Sequence, residues 1–573
     1  MSPPAWKRQL APAAVIAVAA FLAVLPLVLH GCSCGHDFDF HLVNWLEVHA
    51  QFQRGILHPQ WAFTAAWGAG EPRFVFYPPL SWMIGGLLGF LMPYTVAPIV
   101  YTWLCLFLAG VACLRMVSSV GGETISQNRW IPAAIAVAYL ANPYLMFTAY
   151  ERTAYAELLA ASWMPLLLTA LLRERPRWLE IAIPIALLWL TNAPAAVLGC
   201  YGLLMLGLLR LVLWPRALRR ETITQFTLGT LFGLLFAAFY IVPAVVDRKW
   251  VQAAMATVEG MRPDDNFLFG HTTDPLHDTV LWQASRIAVV LFAVSLTLVL
   301  LLRRDKTARL LGAMTLLLLV LLLPVSAVVW HHAPQLGFLQ FPWRFLCLQQ
   351  TIAAVLLTLS VPALTRIRGT WVMPAGAIAV LAVTTVITHH FYLQECDDED
   401  APGAHIVLFA RGGGVMPTDE YTVRDADNDV LQQGNPVWWI AGKPDAPVPV
   451  LGPGTEMRMR VLGLPPRSED ITWETEHTRL QVLWPRSFWL IVNRRAYPAW
   501  QVTNNGAPVP VTEREDGLMA IPLPAGPNEV EIHYHHTPAE LLGLVLCLMG
   551  ILLAVLVHRI ETQRQHALPT IYS

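Results

Sequence analysis

The stretch PLSWMIGGLLGFLM (residues 79–92) decides how this chain is threaded. It is apolar enough to pass for a membrane span, yet it is short beside the ~20 residues a helix needs to cross the hydrocarbon core. Pro78, Pro79 and Pro93 bracket it, and proline restricts how far a helix can run through such a boundary. Counting it as a span would also invert every later loop, which the basic residues oppose.

Elsewhere, apolar runs long enough to cross lipid lie near residues 11–30, 95–116, 130–149, 155–172, 177–193, 196–214, 223–246, 284–302, 308–330, 345–363, 371–389 and 539–558, about twelve in all. Lys and Arg concentrate in cytoplasmic loops. Lys7 and Arg8 place the N-terminus inside, and alternate loops then carry Arg115 and Arg129; Arg173, Arg175 and Arg177; Arg216, Arg219 and Arg220. The series continues with Arg303, Arg304 and Lys306, with Arg366 and Arg368, and with Arg559 at the C-terminal end. This order holds only if 79–92 is re-entrant or interfacial. Residues 31–94, 247–283 and 390–538 then face outside.

The composition agrees. Of 573 residues, 55% are hydrophobic and only 14% charged, and the mean hydropathy is +0.49, too apolar for a soluble chain of this length. A net charge of -2 provides no global basic field, so nucleic acid is not an expected partner. The expected fold is an α-helical polytopic membrane protein with a C-terminal extracytoplasmic β-sandwich: residues 1–389 form the membrane domain, 390–538 a mostly-β domain, and 539–573 a final span and cytoplasmic tail. The runs RLQVLW, SFWLIVN, AWQVTN, VPVTER, LMAIPL and EVEIHYHH alternate apolar and polar residues, with turn signals at Asn504-Asn505-Gly506, Asp516-Gly517 and Pro524-Ala525-Gly526-Pro527. The more Gly-, Pro- and acid-rich 390–470 is expected to pack irregularly against them.

The eight cysteines are scattered, apart from Cys32-Ser-Cys34, and show neither zinc spacing nor a disulfide framework. Leu29-His30-Gly31-Cys32 loosely resembles a lipoprotein cleavage site, but His30 stands where a small residue belongs, so the segment reads as a retained first span.

Charge gathers at the outer rim. In GCSCGHDFDFHLVNWLEVHAQFQRG, Phe38, Leu42, Trp45, Val48 and Phe52 recur at helical spacing and predict an amphipathic helix along the membrane surface. Asp37 precedes it, Asp39 lies in its first turn, and His41 is one turn beyond Asp37. Asp37 as a cap with Asp39 complementing the helix dipole is one reading. A carboxylate held at the interface as general base or metal ligand is the other. Glu71 and Arg73 in the same loop read as a solvated or mutually paired surface couple, or as substrate contacts. Arg152 and Glu157 lie between the third and fourth spans, and Arg344 sits at the mouth of the tenth. Such charges anchor helix ends in headgroups, and an Arg there can equally clamp a lipid phosphate.

Asp397, Asp398, Glu399 and Asp400 read as a solvated loop. Asp425, Asp427 and Asp429 have a calcium-loop rhythm without its glycine and closing glutamate. His331-His332 and His389-His390 suit span ends. Walker loops, dinucleotide fingerprints and serine-nucleophile elbows are not visible.

With those residues set out, GHDFDFH, LHPQW and GAGEPRFVFYPPL in order resemble the first outer loop of bacterial membrane proteins of the GT-C glycosyltransferase architecture. The resemblance is to the YfhO-like proteins and the membrane family labelled 6-pyruvoyl-tetrahydropterin synthase-related. NPYLMFTAYERTAYAELLAASWMPL is similar to the Tyr-x-Arg-Gly-x-x-x-Glu segment of those proteins, LQFPWRF to a Gln-Phe-Pro-Trp-Arg segment, and AYPAWQVTNNGAPV with GLMAIPLPAGPNEVEIHY to a C-terminal sandwich. Thr153 stands where a glycine is common, and Glu71 where a small or aromatic residue is usual. The label implies no synthase activity, since the chain lacks a zinc histidine cluster of that kind.

The resemblance implies a GT-C-like membrane domain in the bacterial inner membrane, and transfer of a sugar from a polyprenyl-phosphate donor to an extracytoplasmic acceptor, whether glycan, lipid or protein. It implies Asp37 as base with Asp39 as the alternative, Arg152 and Arg344 on the phosphate, and Glu157 orienting Arg152, with His41, Glu71 and Arg73 as further contacts. A divalent cation is a candidate cofactor. The alternative is a lipid or polysaccharide transporter, or an accessory protein whose outer domain binds a glycan or partner.

Overall fold

The computed structural model describes residues 5–122, 125, 128–411, 414–448 and 476–567. Seven helices are long and apolar enough to cross a membrane: Ala97–Val120, Tyr155–Leu172, Ala193–Leu213, Pro275–Leu301, Pro342–Arg368, Val372–Tyr392 and Pro538–Glu561. Three further stretches are helix pairs bent by 44°, 77° and 89° at Trp130–Tyr150, Arg216–Trp250 and Lys306–His332, so the described residues hold up to ten spans. The expected dozen is not confirmed, because two of the apolar runs form helices shorter than a full span. Run 177–193 becomes the shorter helix Trp178–Thr191, and run 11–30 is interrupted at Val24 between Ala5–Ala23 and Leu25–His30.

Apolar side chains on several of these helices point outward. Leu541, Leu544, Leu548 and Leu552 on the last helix are each at least half exposed, a face that would be untenable in water and is at home in lipid. The stretch 79–92 forms the helix Pro79–Leu88, ten residues or ~15 Å long, about half of what crossing requires.

The helix Phe38–Gln53, hereafter the loop helix, departs from expectation. Rather than lying on the membrane surface it is buried, with Leu42, Trp45 and Val48 fully covered. Gly85 and Gly86 of the 79–92 stretch allow that approach, because a Cβ at Gly85 would come within 2.2 Å of the Trp45 ring and one at Gly86 within 2.6 Å of Val48. The polar face is satisfied from within the same loop. The Glu47 carboxylate accepts hydrogen bonds from the Thr64 N–H (2.9 Å) and hydroxyl (2.6 Å), and Gln51 donates to the Trp61 carbonyl (2.8 Å). Periodicity revealed the apolar stripe but not the partners that would cover the other side.

Among the described residues, eight strands form two antiparallel sheets. One has the order β1 (Trp438–Ala441), β3 (Phe488–Arg495), β7 (Leu518–Leu523), β6 (Thr512–Glu513); the other β2 (His477–Trp484), β8 (Gly526–Tyr534), β4 (Trp500–Asn504), β5 (Ala507–Pro508). Asn505 (φ 50°) and Gly506 (φ 79°) make the tight turn from β4 to β5, as the Asn-Gly signal predicts. The expected irregular first half supplies β1, a helix at Pro402–Ala410 and a short turn of helix at Asp419–Tyr421; its residues 449–470 lie outside the described ones.

The first loop and the sheets share a core. Trp61 and Phe63 pack among Leu490, Val492, Tyr497 and Trp500, and Ala66 and Ala69 against Trp439, Ile491 and Leu518. A second tie was not foreseen: Cys34 and Cys396 form a disulfide across 362 residues of chain. Cysteine spacing could not reveal it, because its halves are joined only by the fold.

A third tie corrects the reading of Glu71 and Arg73 as a surface couple. Both are buried, 3.1 Å apart. Arg73 also donates to the Asn44 side-chain oxygen and the Thr418 hydroxyl, both at 2.8 Å, while Glu71 accepts from the Thr418 N–H at 2.7 Å. The pair knots the loop, the loop helix and the segment leading into the sheets. Removing one partner strands a buried charge, which costs ~3–5 kcal/mol. Glu71→Ala is expected to lower the thermal midpoint in detergent clearly, and a midpoint equal to wild type would show that the knot does not hold the loop.

Candidate functional site

Arg152 and Glu157 come from a break between two helices. Asn142 caps the helix Pro143–Tyr150 by accepting from the Tyr144 and Leu145 N–H groups. The chain then turns through Thr153, at φ +45°, before Tyr155–Ala160 begins. This left-handed conformation suits glycine better than threonine, which accounts physically for the glycine common at this position in the resembled proteins. The turn brings an Arg152 guanidinium nitrogen to 2.6 Å from Glu157 Oε2.

Arg344 reaches the same carboxylate from the N-terminal turn of another helix. Its Nε lies 3.3 Å from Glu157 Oε2, and Nη1 donates to the Leu339 carbonyl (2.7 Å) and to the Gln340 side chain (3.2 Å). The Tyr144 hydroxyl donates to Glu157 Oε1 at 2.6 Å. Beneath the two cations, the rings of Phe341 and Trp343 stack 5.0 Å apart. Arg152 lies 4.8 Å from the Trp343 ring and Arg344 4.8 Å from that of Phe341, distances at which a ring face attracts a cation.

Asp37 completes the cluster from the first loop. Gly35 permits the approach, since a Cβ there would sit 2.2 Å from the Glu151 carbonyl oxygen. The Asp37 N–H donates to the Arg152 carbonyl at 2.9 Å, and its carboxylate stands 3.6 Å from the Arg152 guanidinium. Asp37 occupies the position before the loop helix, but its side chain caps no backbone N–H, so the capping reading does not hold. Its side chain is 42% exposed, against 5% for Arg152 and Glu157 and 11% for Arg344. Asp37 is therefore the most exposed of the four charged side chains, and both cations are buried more deeply.

Ser33 donates to the Tyr150 carbonyl (2.7 Å), and Gln394 donates to Glu151 (2.8 Å) and to Ser33 Oγ (2.9 Å). These bonds lie beside the Cys34–Cys396 bridge and brace both strands of the site.

The other candidates sit differently. Asp39 is exposed in the first turn of the loop helix; partial desolvation, with Asp400 and Asp37 nearby, pushes its carboxyl up, while His405 counteracts. His41 is enclosed by Phe40, Trp45, Tyr77 and Tyr155 and backs the site without opening onto it. Glu71 and Arg73 are consumed in the knot described above. Sequence reading did not single out Tyr144, although it lies within the quoted NPYLMF segment, and only the fold shows its contact with Glu157. Tyr77, partly exposed, was likewise passed over within YPPL.

A scan of family models matches residues 74–393 to a membrane-protein family described as 6-pyruvoyl-tetrahydropterin synthase related. The match covers more than half of the chain. The chain belongs to that family. Its matched region includes Arg152, Glu157 and Arg344 but begins after Asp37. No curated protein matches. Among solved structures the chain is similar to the arabinofuranosyltransferase AftD from Mycobacteria, at 18% identity and a TM-score of 0.41, covering 69% of this chain and 27% of that one. A mutant form of AftD gives 19% and 0.41, with 67% and 28% covered. The chain thus spans about a quarter of the length of those structures.

Among the described residues no three His, Cys, Asp or Glu side chains are grouped to hold a metal ion. Asp427 instead accepts from the Asp429 N–H in a local turn.

Burial lowers the His41 imidazole from an ordinary 6.5 to about 4. The folded protein then resists a proton that the unfolded chain accepts, so the stability this site contributes is complete above pH 6.5 and is lost as the pH falls toward 4. At ~1.4 kcal/mol per pH unit the loss approaches roughly 3 kcal/mol. Unfolding midpoints across this window should fall less steeply for His41→Phe than for wild type; parallel curves would place the sensitivity in other histidines.

Proposed function

We propose that this protein is a membrane glycosyltransferase that moves a sugar from a polyprenyl-phosphate donor to an extracytoplasmic acceptor, a glycan, lipid or protein, with Asp37 as the general base. The observation that carries the reading is the meeting of Asp37, Arg152, Glu157 and Arg344, drawn from three separate parts of the chain. The arrangement has the parts that glycosyl transfer requires. An acceptor hydroxyl attacks the anomeric carbon and gives its proton to the exposed Asp37 carboxylate. The bond to the phosphate breaks, and the departing polyprenyl phosphate carries negative charge toward Arg152 and Arg344.

Glu157 and Tyr144 keep both guanidinium groups in place before a substrate arrives, so little reorganisation is needed as charge develops. Asp39 stands on the open side, where it would meet the acceptor or the donor headgroup. On this reading the cluster and the sheets face the outside of a bacterial inner membrane, with both termini in the cytoplasm. The donor would reach the cluster from the bilayer, and the sheets would receive the acceptor.

Purified protein in vesicles, supplied with a panel of lipid-linked sugars, tests the assignment. Asp37→Asn should lower transfer ~100-fold or more while leaving the fold intact, because the residue is partly exposed; Asp39→Asn should retain most activity. Full transfer by Asp37→Asn would remove the base, and no transfer by wild type across the panel would count against an enzyme.

A further inference from the structure

A groove between two helices of the membrane body, Ala193–Leu213 and Arg219–Phe236, has no part in the proposed reaction. Its volume is about 520 Å³ and its walls are mostly apolar, with Leu204, Leu208, Leu211, Ile223, Phe226 and Leu234 among them. Leu204, Leu208, Ile223 and Leu231 are each at least half exposed, so the groove opens outward from the helical body and not into its core. Along the second helix it extends from Thr222 to Leu234, ~18 Å at the helical rise. That is close to the ~15 Å of hydrocarbon in a single leaflet.

One end of the groove is basic. Arg219 precedes Thr222 by three residues and Ile223 by four, a spacing that stacks it over the groove wall. Its Nε is buried without a hydrogen-bond partner. Arg216 and Arg220 beside it are exposed, and among the described residues none of the three makes an ion pair. Arg173 and Arg177, by contrast, are both engaged by Glu180. One carboxylate, Glu221, stands in the same first turn and leaves the end positive. An apolar shaft with a basic mouth between membrane helices fits a lipid whose headgroup is an anionic phosphate.

The place of that mouth decides which lipid. Arg210, at the same end, donates to the Arg173 carbonyl (2.8 Å) and the Glu174 carbonyl (3.1 Å), just past the end of the span Tyr155–Leu172. Arg152 and Glu157 lie at the opposite end of that span, roughly 25 Å away along its axis. A sugar donor with its phosphate at Arg219 could not present its sugar to Asp37. We infer that the groove is a site for an anionic phospholipid, one acyl chain lying between the two helices and the phosphate held by Arg219 with Arg216 and Arg220. The inference does not rest on the glycosyltransferase reading.

Photolabelling of the full chain tests it. Protein in phosphatidylethanolamine vesicles receives a trace of phosphatidylglycerol or of phosphatidylcholine, each with a diazirine in one acyl chain, and labelled peptides are mapped after illumination. Phosphatidylglycerol should label residues 193–213 and 219–236 several-fold more than phosphatidylcholine does. The combined variant Arg216→Ala, Arg219→Ala, Arg220→Ala should lower that labelling ~10-fold or more while the last helix is labelled as before. Leu208→Trp, which fills the shaft, should lower it as well. Equal labelling by the two lipids, or labelling unchanged in either variant, would overturn the inference. Displacement of the label by a polyprenyl phosphate but not by unlabelled phosphatidylglycerol would also overturn it, and would give the groove to the donor. A Cys34–Cys396 linked peptide in a non-reducing digest identifies the correctly folded protein in every sample.

Discussion

One carboxylate, that of Glu157, holds two guanidinium groups at the rim of a largely uncharged helical body. Burying a cation without a counter-charge costs several kcal/mol, so each arginine needs more than a convenient neighbour. Arg152 has Glu157, Asp37 and the Trp343 ring; Arg344 has Glu157, two oxygens of its own turn and the Phe341 ring. Much of the local architecture follows from meeting those needs. The helix break at Thr153 swings Arg152 onto Glu157, and Gly35 lets a distant loop come close enough for Asp37 to answer the same charge.

The position of Asp37 depends on contacts well outside the cluster. Its loop is tied by the Cys34–Cys396 bridge, by the buried Glu71–Arg73 knot and by Trp61 and Phe63 in the core of the sheets. The sheets and the first loop are therefore one mechanical unit over the membrane helices. A change in the sheets can reach the loop that carries Asp37 through these packed side chains. The loop helix, expected on the surface, works as an internal strut between the short helix at 79–88 and the helix at 402–410.

Charge and length were enough to recognise a membrane protein and to doubt residues 79–92 as a span. Alternation and turn residues were enough to place the strands after residue 476, because sheet edges and Asn-Gly turns leave short-range marks. The span count was harder, since hydropathy measures apolar length and is blind to a bend of 77° or 89° inside it. Of the candidate residues, Asp37, Arg152, Glu157 and Arg344 were identified from charge at helix ends and from a family resemblance. Glu71 and Arg73 looked similar by those signs, and nothing local separated them from the cluster.

By itself, the sequence determined that this is a membrane protein with several apolar spans, that residues 79–92 are short for one, and that charge collects away from the apolar runs. Those properties reside in composition and short-range spacing. Tertiary structure alone decided which charges meet. The partners of Glu157 lie 5 residues away in Arg152 but also at Arg344, and the partner of Cys34 lies 362 residues away. Such contacts are chosen by how helices bend and pack. No local pattern records them, and so residues 79–92, legible in length, became intelligible in role only when Gly85 and Gly86 were seen to seat the helix that begins beside Asp37.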